Sequence, residues 1–144
     1  MASISYLVDS DVLSETAKPS PSSNVVRWLS LHARLAVSSI TLFEIGRGIE
    51  ASSSPKKRLF LEEWFATLLD GPLDILAFDT PAARAAVQLE SDAKRSGRPI
   101  ETRDLFILAT ARAAGLHIAT GNVRHFMGRG VLVVDPFLDR GSRK

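Results

Sequence analysis

The sequence predicts an α/β fold in which a central parallel sheet carries helices on both faces. Short apolar segments of the kind that form buried strands recur along the chain. Longer segments with helical patterning separate them, and Pro, Gly or Ser mark the breaks. Strands that alternate with helices favour parallel pairing, because a crossover helix returns the chain to the same end of the sheet.

The first strand is predicted over residues 4–8, where aromatic and β-branched residues favour an extended chain. A loop with two prolines follows, and Ser23 or Asn24 is expected to cap a helix over residues 24–33. Residues 35–39 form a short apolar run that predicts the second strand. The chain thus begins with the pattern strand, helix, strand.

The middle of the chain continues the alternation. A helix is predicted over residues 41–51, and the Ser-Ser-Ser-Pro stretch at 52–55 breaks it before an amphipathic helix over 56–69. Residues 73–78 predict the third strand. A proline suited to the first helical position then opens a helix over 80–96.

The last third predicts one helix and two strands. The Gly-Arg-Pro sequence at 97–99 separates the preceding helix from a helix over 104–114, which is apolar nearly all round and so indicates a buried helix. Gly115 stands where a C-terminal cap belongs. Strands are predicted over 116–120 and 131–134.

Composition limits the classes of protein to which the chain can belong. Its 144 residues, 45% of them hydrophobic and 24% charged, are typical of one globular domain spanning residues 1–144. The absence of cysteine excludes disulfides and thiolate metal sites. No apolar run approaches the roughly 18 residues of a membrane span, so no membrane association is predicted and the cytoplasm is the expected location.

Four polar residues lie where a ligand site is expected. Ligands of parallel sheets bind beyond the carboxyl ends of the strands. There the chain places Asp9, Glu44, Asp104 and Asn122, each where a strand gives way to a helix or a helix begins. Asp9 directly follows a buried strand, a place where an acid has no routine structural role and where charge is costly without a partner.

Three of these residues also have purely structural interpretations. Glu44 fits a capping box that begins at Thr41. Asp104 would stabilise a helix dipole from the first turn. Asn122, after a glycine, is a common turn residue. The sequence alone leaves both interpretations open for each of them.

Four segments together resemble one protein family over residues 6–137. They are YLVDSDVLSE, SSITLFEIGRG, RDLFILATARAAGLHIATGN, and VRHF with GVLVVDPF. In this order and at these separations they are similar to PIN-domain ribonucleases of the VapC toxin type, from bacterial toxin–antitoxin systems. The resemblance implies a three-layer α/β/α sandwich with a central parallel sheet.

The resemblance also implies an activity and partners. It implies a Mg²⁺- or Mn²⁺-dependent endoribonuclease that acts on RNA, is blocked by a cognate antitoxin protein and forms a homodimer. The acidic metal site would contain Asp9, Glu44 and Asp104, with Asn122 as the fourth catalytic position. Carboxylates gathered at one place repel each other unless a cation neutralises them, and oxygen ligands favour Mg²⁺ or Mn²⁺ over zinc.

The chain departs from the family pattern at two positions. Asp11 replaces a common asparagine, and Asn122 replaces an aspartate found in some relatives, so whether one or two ions bind is open. Exposed apolar residues of the 56–69 helix are candidates for a homodimer contact: Leu59, Phe60 and Trp64. Basic residues near the motifs are candidates for RNA contact: Arg47, Arg98, Arg103, Arg124 and His125.

Two other classes of function are compatible with parts of the sequence. The first is a non-catalytic PIN-like module that only binds RNA or a partner, and the intact acids Asp9, Glu44 and Asp104 argue against it. The second is a haloacid-dehalogenase-like phosphatase, suggested by Asp9 and Asp11 after an apolar strand. That phosphatase fold needs a late acidic pair, which the ATGN sequence at 119–122 does not supply.

Overall fold

Residues 5–138 are described by the computed structural model. They form five strands and seven helices. The strands are β1 (Tyr6–Val8), β2 (Leu35–Ser38), β3 (Leu73–Leu76), β4 (His117–Ala119) and β5 (Val133–Val134). The helices are α1 (Ser10–Glu15), α2 (Ser23–Ser30), α3 (Ser39–Glu50), α4 (Pro55–Asp70), α5 (Thr80–Arg95), α6 (Thr102–Ala114) and α7 (Val123–Phe126).

The five strands form one sheet in the order β3-β2-β1-β4-β5, and every pair is parallel. The predicted parallel α/β class is confirmed. β1 lies at the centre, with Leu7 opposite Ala36 on one side and Ile118 on the other. The carboxyl ends of β1, β2 and β4 therefore meet at one edge of the sheet.

Side chains of the central strands alternate between two cores, as the pleat requires. Leu7, Ala36 and Ile118 point to the core that α5 and α6 cover. Val8 and Val37 point to the opposite core, where they pack with residues of α1, α2 and α3. Each of these strands contains an uninterrupted run of apolar residues in the sequence, because both faces of the sheet are buried. The helices on the two faces complete the three layers of the predicted sandwich.

All ten predicted elements are present, with ends displaced by at most three residues. The part of the predicted first strand at residue 4 lies outside the described residues. Two short helices, α1 and α7, were not predicted, since six and four residues are too few to show a periodic pattern. Helix α1 begins two residues after β1 ends, and α7 begins four residues after β4 ends.

The predicted helix cap at Thr41 is wrong. Helix α3 begins two residues earlier, because Ser38 ends β2 and its hydroxyl accepts a hydrogen bond from the Ile40 N–H. Thr41 is fully buried within the helix, and Glu44 lies in its second turn, too far along to complete a capping box. The structural interpretation of Glu44 therefore fails.

The apolar residues of α4 divide between core and surface. Trp64 packs against the core on the α3 side of the sheet and donates its indole N–H to Thr16 at 2.9 Å. Leu59 and Phe60 are 59% and 55% exposed. Of the candidate homodimer residues, only these two remain on the surface. No helix among residues 5–138 is both long enough and apolar enough to cross a membrane.

Candidate functional site

Asp9 lies at the centre of the sheet edge and is only 6% exposed. Its backbone N–H continues the sheet by donating to the Ala119 carbonyl at 2.9 Å. One carboxylate oxygen caps α1 by accepting the Ser10 N–H at 2.8 Å, and the other accepts the Thr120 hydroxyl at 2.8 Å. The expectation that this acid has no routine structural role is wrong, because it is the N-cap of a helix too short to predict.

Thr120 fixes the orientation of the Asp9 carboxylate. It follows β4 and is fully buried. While its hydroxyl donates to Asp9, the same oxygen accepts the backbone N–H of Asn122 at 2.9 Å. Sequence reasoning treated Thr120 as the last strand residue. A polar residue ending a buried parallel strand was the signal that would have identified it.

Glu44 and Asp104 face Asp9 from two different helices. Burial raises the pKa of the Glu44 carboxyl, and the negative charges of Asp9 and Asp104 raise it further. Burial likewise raises the pKa of Asp104, to which the charge of Asp9 also contributes, while His125 opposes the shift. The structure therefore brings together three of the four predicted site residues, and the charge of Asp9 acts on both of the other two.

Two basic side chains contact these acids. Arg103 lies 3.4 Å from the Glu44 carboxylate and 3.1 Å from that of Glu101. His125 places its Nδ1 3.0 Å from the Asp104 carboxylate. Arg103, a candidate RNA contact in the sequence, is thus engaged with acids. Glu101 is the N-cap of α6 and was not predicted, because the helix begins two residues before Asp104.

Asn122 is the least constrained of the predicted site residues. It is exposed, and it precedes α7 without capping it through its side chain. Within residues 5–138 its amide group makes no hydrogen bond, although its backbone N–H holds Thr120 in place. Its predicted catalytic role stays a prediction.

Asp11 adds a fourth carboxylate close to the cluster. One of its oxygens accepts the Gly121 N–H at 2.8 Å, and the other is buried without a hydrogen-bond partner. Burial, reinforced by the charge of Asp9, raises the pKa of Asp11 to about 6. Asp11 is one of the two residues at which the sequence was found to depart from the pattern of the resembled family, and its charge is poorly compensated.

The contact between Asp11 and Gly121 requires glycine. A Cβ atom at residue 121 would lie 2.6 Å from the Asp11 Oδ2 atom and 3.0 Å from the ring of Phe137. We expect Gly121→Ala to lower the free energy of unfolding by about 1–3 kcal/mol, because these groups must shift. Urea denaturation measures the change. Gly48→Ala is the control, since a Cβ there meets nothing within 4 Å; equal losses in both variants would contradict the prediction.

The acids supply the oxygen ligands that Mg²⁺ and Mn²⁺ prefer. Burial first, and then the charge of Asp9, raise the pKa values of Glu44 and Asp104, so their ionised forms are disfavoured here despite the contacts with Arg103 and His125. As the side chains stand, no three acidic or histidine residues within 5–138 form a group that could hold a metal ion. The donor chemistry fits a divalent cation, whose binding would compete with the contacts to Arg103 and His125.

Comparison with known proteins agrees with this architecture. The family model described as PIN domain matches residues 6–126. Toxin FitB of Neisseria gonorrhoeae is 34% identical over 139 residues, covering 92% of this chain and 99% of that protein. The tRNA(fMet)-specific endonuclease VapC of Shigella flexneri is 32% identical over 123 residues, covering 85% of this chain and 90% of that protein.

A solved structure shows the same fold. A chain of a toxin-antitoxin complex from Klebsiella pneumoniae superposes with a TM-score of 0.70 at 25% identity, covering 92% of this chain and 98% of that chain. The predicted resemblance is therefore confirmed in sequence and in structure. On these matches, which extend over most of its length, the chain belongs to the PIN-domain family.

Proposed function

We propose that this chain is the toxin of a type II toxin–antitoxin pair and that it is a Mg²⁺- or Mn²⁺-dependent endoribonuclease. The observation that carries the proposal is the meeting of Asp9, Glu44 and Asp104 at the carboxyl edge of the sheet, where burial and mutual repulsion raise the pKa of Glu44 and Asp104. Such a cluster is unfavourable in a protein without a cation and favourable with one.

The names of the relatives support the proposed reaction and the proposed partner. One relative is named an endonuclease specific for a tRNA, another is named a toxin, and a structural neighbour is a toxin-antitoxin complex. An RNA substrate and a cognate antitoxin are therefore the partners that we propose here. Membership of the PIN family also removes the phosphatase alternative. The homodimer stays a prediction, for which Leu59 and Phe60 are the exposed candidates.

Asp9 and Asp104 would hold the ion, with Glu44 as a further ligand or as the group that orients the attacking water. When bound, the ion would lower the pKa of that water and stabilise negative charge on the phosphate. The protein contributes the orientation of the ligands. Thr120 holds one Asp9 oxygen, and the cap of α1 holds the other.

The proposal is tested with the purified full-length chain and a pool of RNA. We expect cleavage with Mg²⁺ or Mn²⁺ and none with EDTA, and we expect calorimetry to detect Mn²⁺ binding. Cleavage that persists in EDTA would contradict the metal-dependent mechanism. Binding of RNA without cleavage under any metal condition would favour the non-catalytic binding module.

Glu44→Gln separates catalysis from structure at this position. Because Ser38 and not Thr41 caps α3, the glutamate has no capping role to lose, and the variant is expected to fold normally. We expect the cleavage rate to fall about 100-fold or more, as is typical when a group acting in proton transfer is removed. A single-turnover assay measures the rate.

Glu90→Gln is the matched control for this substitution. Glu90 is exposed on α5, and within residues 5–138 its side chain makes no hydrogen bond or ion pair. Its substitution removes the same charge and should leave the rate unchanged. Nearly full activity of the Glu44 variant would remove this residue from the catalytic group.

A further inference from the structure

An open cavity of about 380 Å³ lies beside the acidic cluster, with Asp104 in its wall. A second cavity of about 260 Å³ continues from it, since Arg98 and Arg129 line both. Arg124 belongs to the wall of the first cavity and Arg112 to that of the second. We call these four arginines, at positions 98, 112, 124 and 129, the arginine track. It leads away from Asp104 along the surface.

The two central arginines of the track bind neutral groups. Arg98 donates to the carbonyls of Met127 and Arg124 at 3.0 and 3.2 Å. Arg129 donates to the carbonyls of His125 and Arg98 at 2.8 and 2.9 Å. Within residues 5–138 neither guanidinium forms an ion pair with a carboxylate. Carbonyls fix the two side chains without cancelling their charge.

The backbone around the track makes room for the guanidinium groups. Gly128 and Gly130 adopt positive φ angles of 76° and 86°. A Cβ atom at residue 130 would lie 2.6 Å from the Arg112 Nη1 atom, and one at residue 128 would lie 3.2 Å from the Arg98 Nη1 atom. Glycine is thus suited to both positions by conformation and by the close approach of an arginine.

Like charges are brought together here, as they are in the acidic cluster. Partial burial lowers the pKa of the Arg129 guanidinium, and the neighbouring charge of Arg98 lowers it further. Asp104 opposes this shift but has a smaller effect than Arg98. Arginine nevertheless remains protonated in proteins, so the repulsion between the two guanidinium groups is offset only in part within the described residues. Planar guanidinium groups match phosphate oxygens in bidentate geometry. The track therefore has the charge and the donors of a phosphate site.

We propose that the arginine track binds the backbone phosphates of the RNA strand next to the bond that is cut, with Arg124, which lines the same cavity as Asp104, as one of the contacts. The inference rests on the proposed function, since it takes the scissile phosphate to lie at Asp104. The side chain of Arg124 makes no hydrogen bond or ion pair with residues 5–138, so it is available for a ligand. The track then fixes on which side of the acidic cluster the strand leaves.

The first test is binding of a fluorescently labelled single-stranded RNA to the full-length chain in EDTA, measured by anisotropy over a series of salt concentrations. We expect Arg124→Ala to weaken binding about tenfold, as loss of a hydrogen bond to a charged group does. The slope of log affinity against log salt should fall by about 0.7, the value for one phosphate contact to a single strand.

Arg84→Ala is the matched control. Arg84 is exposed on α5, lies outside both cavities and makes no hydrogen bond or ion pair within the described part of the chain. Arg84→Ala removes the same charge as Arg124→Ala, so its RNA affinity and its slope of log affinity against log salt should match those of the unmodified protein. Equal losses in the two variants would mean that only net charge matters, and would overturn the inference.

A second measurement locates the contact. Each phosphate of the RNA is replaced in turn by a neutral methylphosphonate, and binding is compared between the unmodified protein and Arg124→Ala. At the phosphate that Arg124 contacts, the methylphosphonate should weaken binding by the unmodified protein. The same replacement should have no additional effect on Arg124→Ala, which has already lost that contact. Equal costs for both proteins at every phosphate would overturn the inference.

The outcomes distinguish this inference from the proposed function. If the unmodified protein cleaves RNA and Arg124→Ala binds RNA as tightly as it does, the track is wrong and the ribonuclease assignment stands. If no metal supports cleavage while Arg124→Ala binds RNA about tenfold more weakly than the unmodified protein, the phosphate site stands and the ribonuclease assignment fails. Absence of RNA binding by the unmodified protein would overturn the track.

Discussion

Replacing Asp104 with asparagine is expected to abolish metal-dependent RNA cleavage, with a loss of at least about 100-fold, while the protein without metal remains at least as stable. Asparagine removes a metal ligand and also a charge that Asp9 and Glu44 repel. The raised pKa of Asp104 means that its ionised form is disfavoured by folding, so at neutral pH its neutralisation stabilises the native state. The lost contact with the exposed His125 offsets only part of this gain.

Asp9→Asn should give the same loss of activity, and whether the variant folds depends on the two hydrogen bonds that the Asp9 side chain accepts. Asparagine is as good an N-cap as aspartate, so its side-chain oxygen can still accept the Ser10 N–H. The Thr120 hydroxyl can turn to accept from the new amide group instead of donating to a carboxylate. The fold should therefore survive while the ligand is lost.

The measurements are a single-turnover cleavage assay and urea denaturation with and without Mn²⁺. Asp70→Asn is the control, since Asp70 is exposed at the end of α4 and has no partner within residues 5–138. We expect Mn²⁺ to stabilise the unmodified protein and the control but not the Asp104 variant. A large loss of stability without metal in either site variant would show that the carboxylate is structural and that the metal site is wrong.

Stability of the protein without metal is expected to fall as the pH rises from about 4.5 to about 7. The folded pKa values of Asp11, Glu44 and Asp104 lie above their ordinary values, that of Asp11 at about 6 against 3.8. In this window the native state holds more protons than the unfolded chain, so raising the pH favours unfolding. The stability that these groups contribute when protonated is lost as the pH passes through their folded pKa values.

Asp11 should account for much of this change, with an effect of about 1 kcal/mol over the window once solvent screening of this partly exposed group is included. Asp11→Asn keeps an oxygen for the Gly121 N–H and removes the charge, so its unfolding free energy should depend less on pH. The hydrogen bond and ion pair with Lys18 lower the pKa of Glu15, so the stability that Glu15 contributes is lost as the pH falls. The experiment is therefore kept above the pH range in which Glu15 becomes protonated.

Urea denaturation at a series of pH values measures the effect for the unmodified protein and for Asp11→Asn. Addition of Mn²⁺ at neutral pH should restore the stability lost on ionisation, because the cation neutralises the same carboxylates. Stability that rises with pH over this window, or an Asp11 variant with an unchanged pH profile, would contradict the assignment.

The sequence by itself determined the strands, the buried helix α6 and the positions of the acids. Both faces of β1 are covered, so its run of apolar residues is visible without any knowledge of its neighbours. The same holds for residues 105–111 of α6, most of which are buried. These are local patterns that a single segment displays on its own.

Helix starts were decided by tertiary structure. Thr41 was the predicted cap of α3, but the sheet ends at Ser38, whose hydroxyl caps the helix there. Asp9 likewise caps a helix of six residues, and its second oxygen takes a hydrogen bond from Thr120, 111 residues away in sequence. Where a strand stops depends on the strand beside it, and a local pattern does not contain that neighbour.

Only the fold decided which charges meet. The order β2-β1-β4 places Glu44 and Asp104 near Asp9, and it also brings Arg103 to Glu44 and His125 to Asp104. The sequence indicated that the acids share a site, but it did not indicate which cations oppose them or that four arginines line the neighbouring surface. Coulomb interactions depend on separation in space, and for residues from different helices that separation is set by the packing of the sheet.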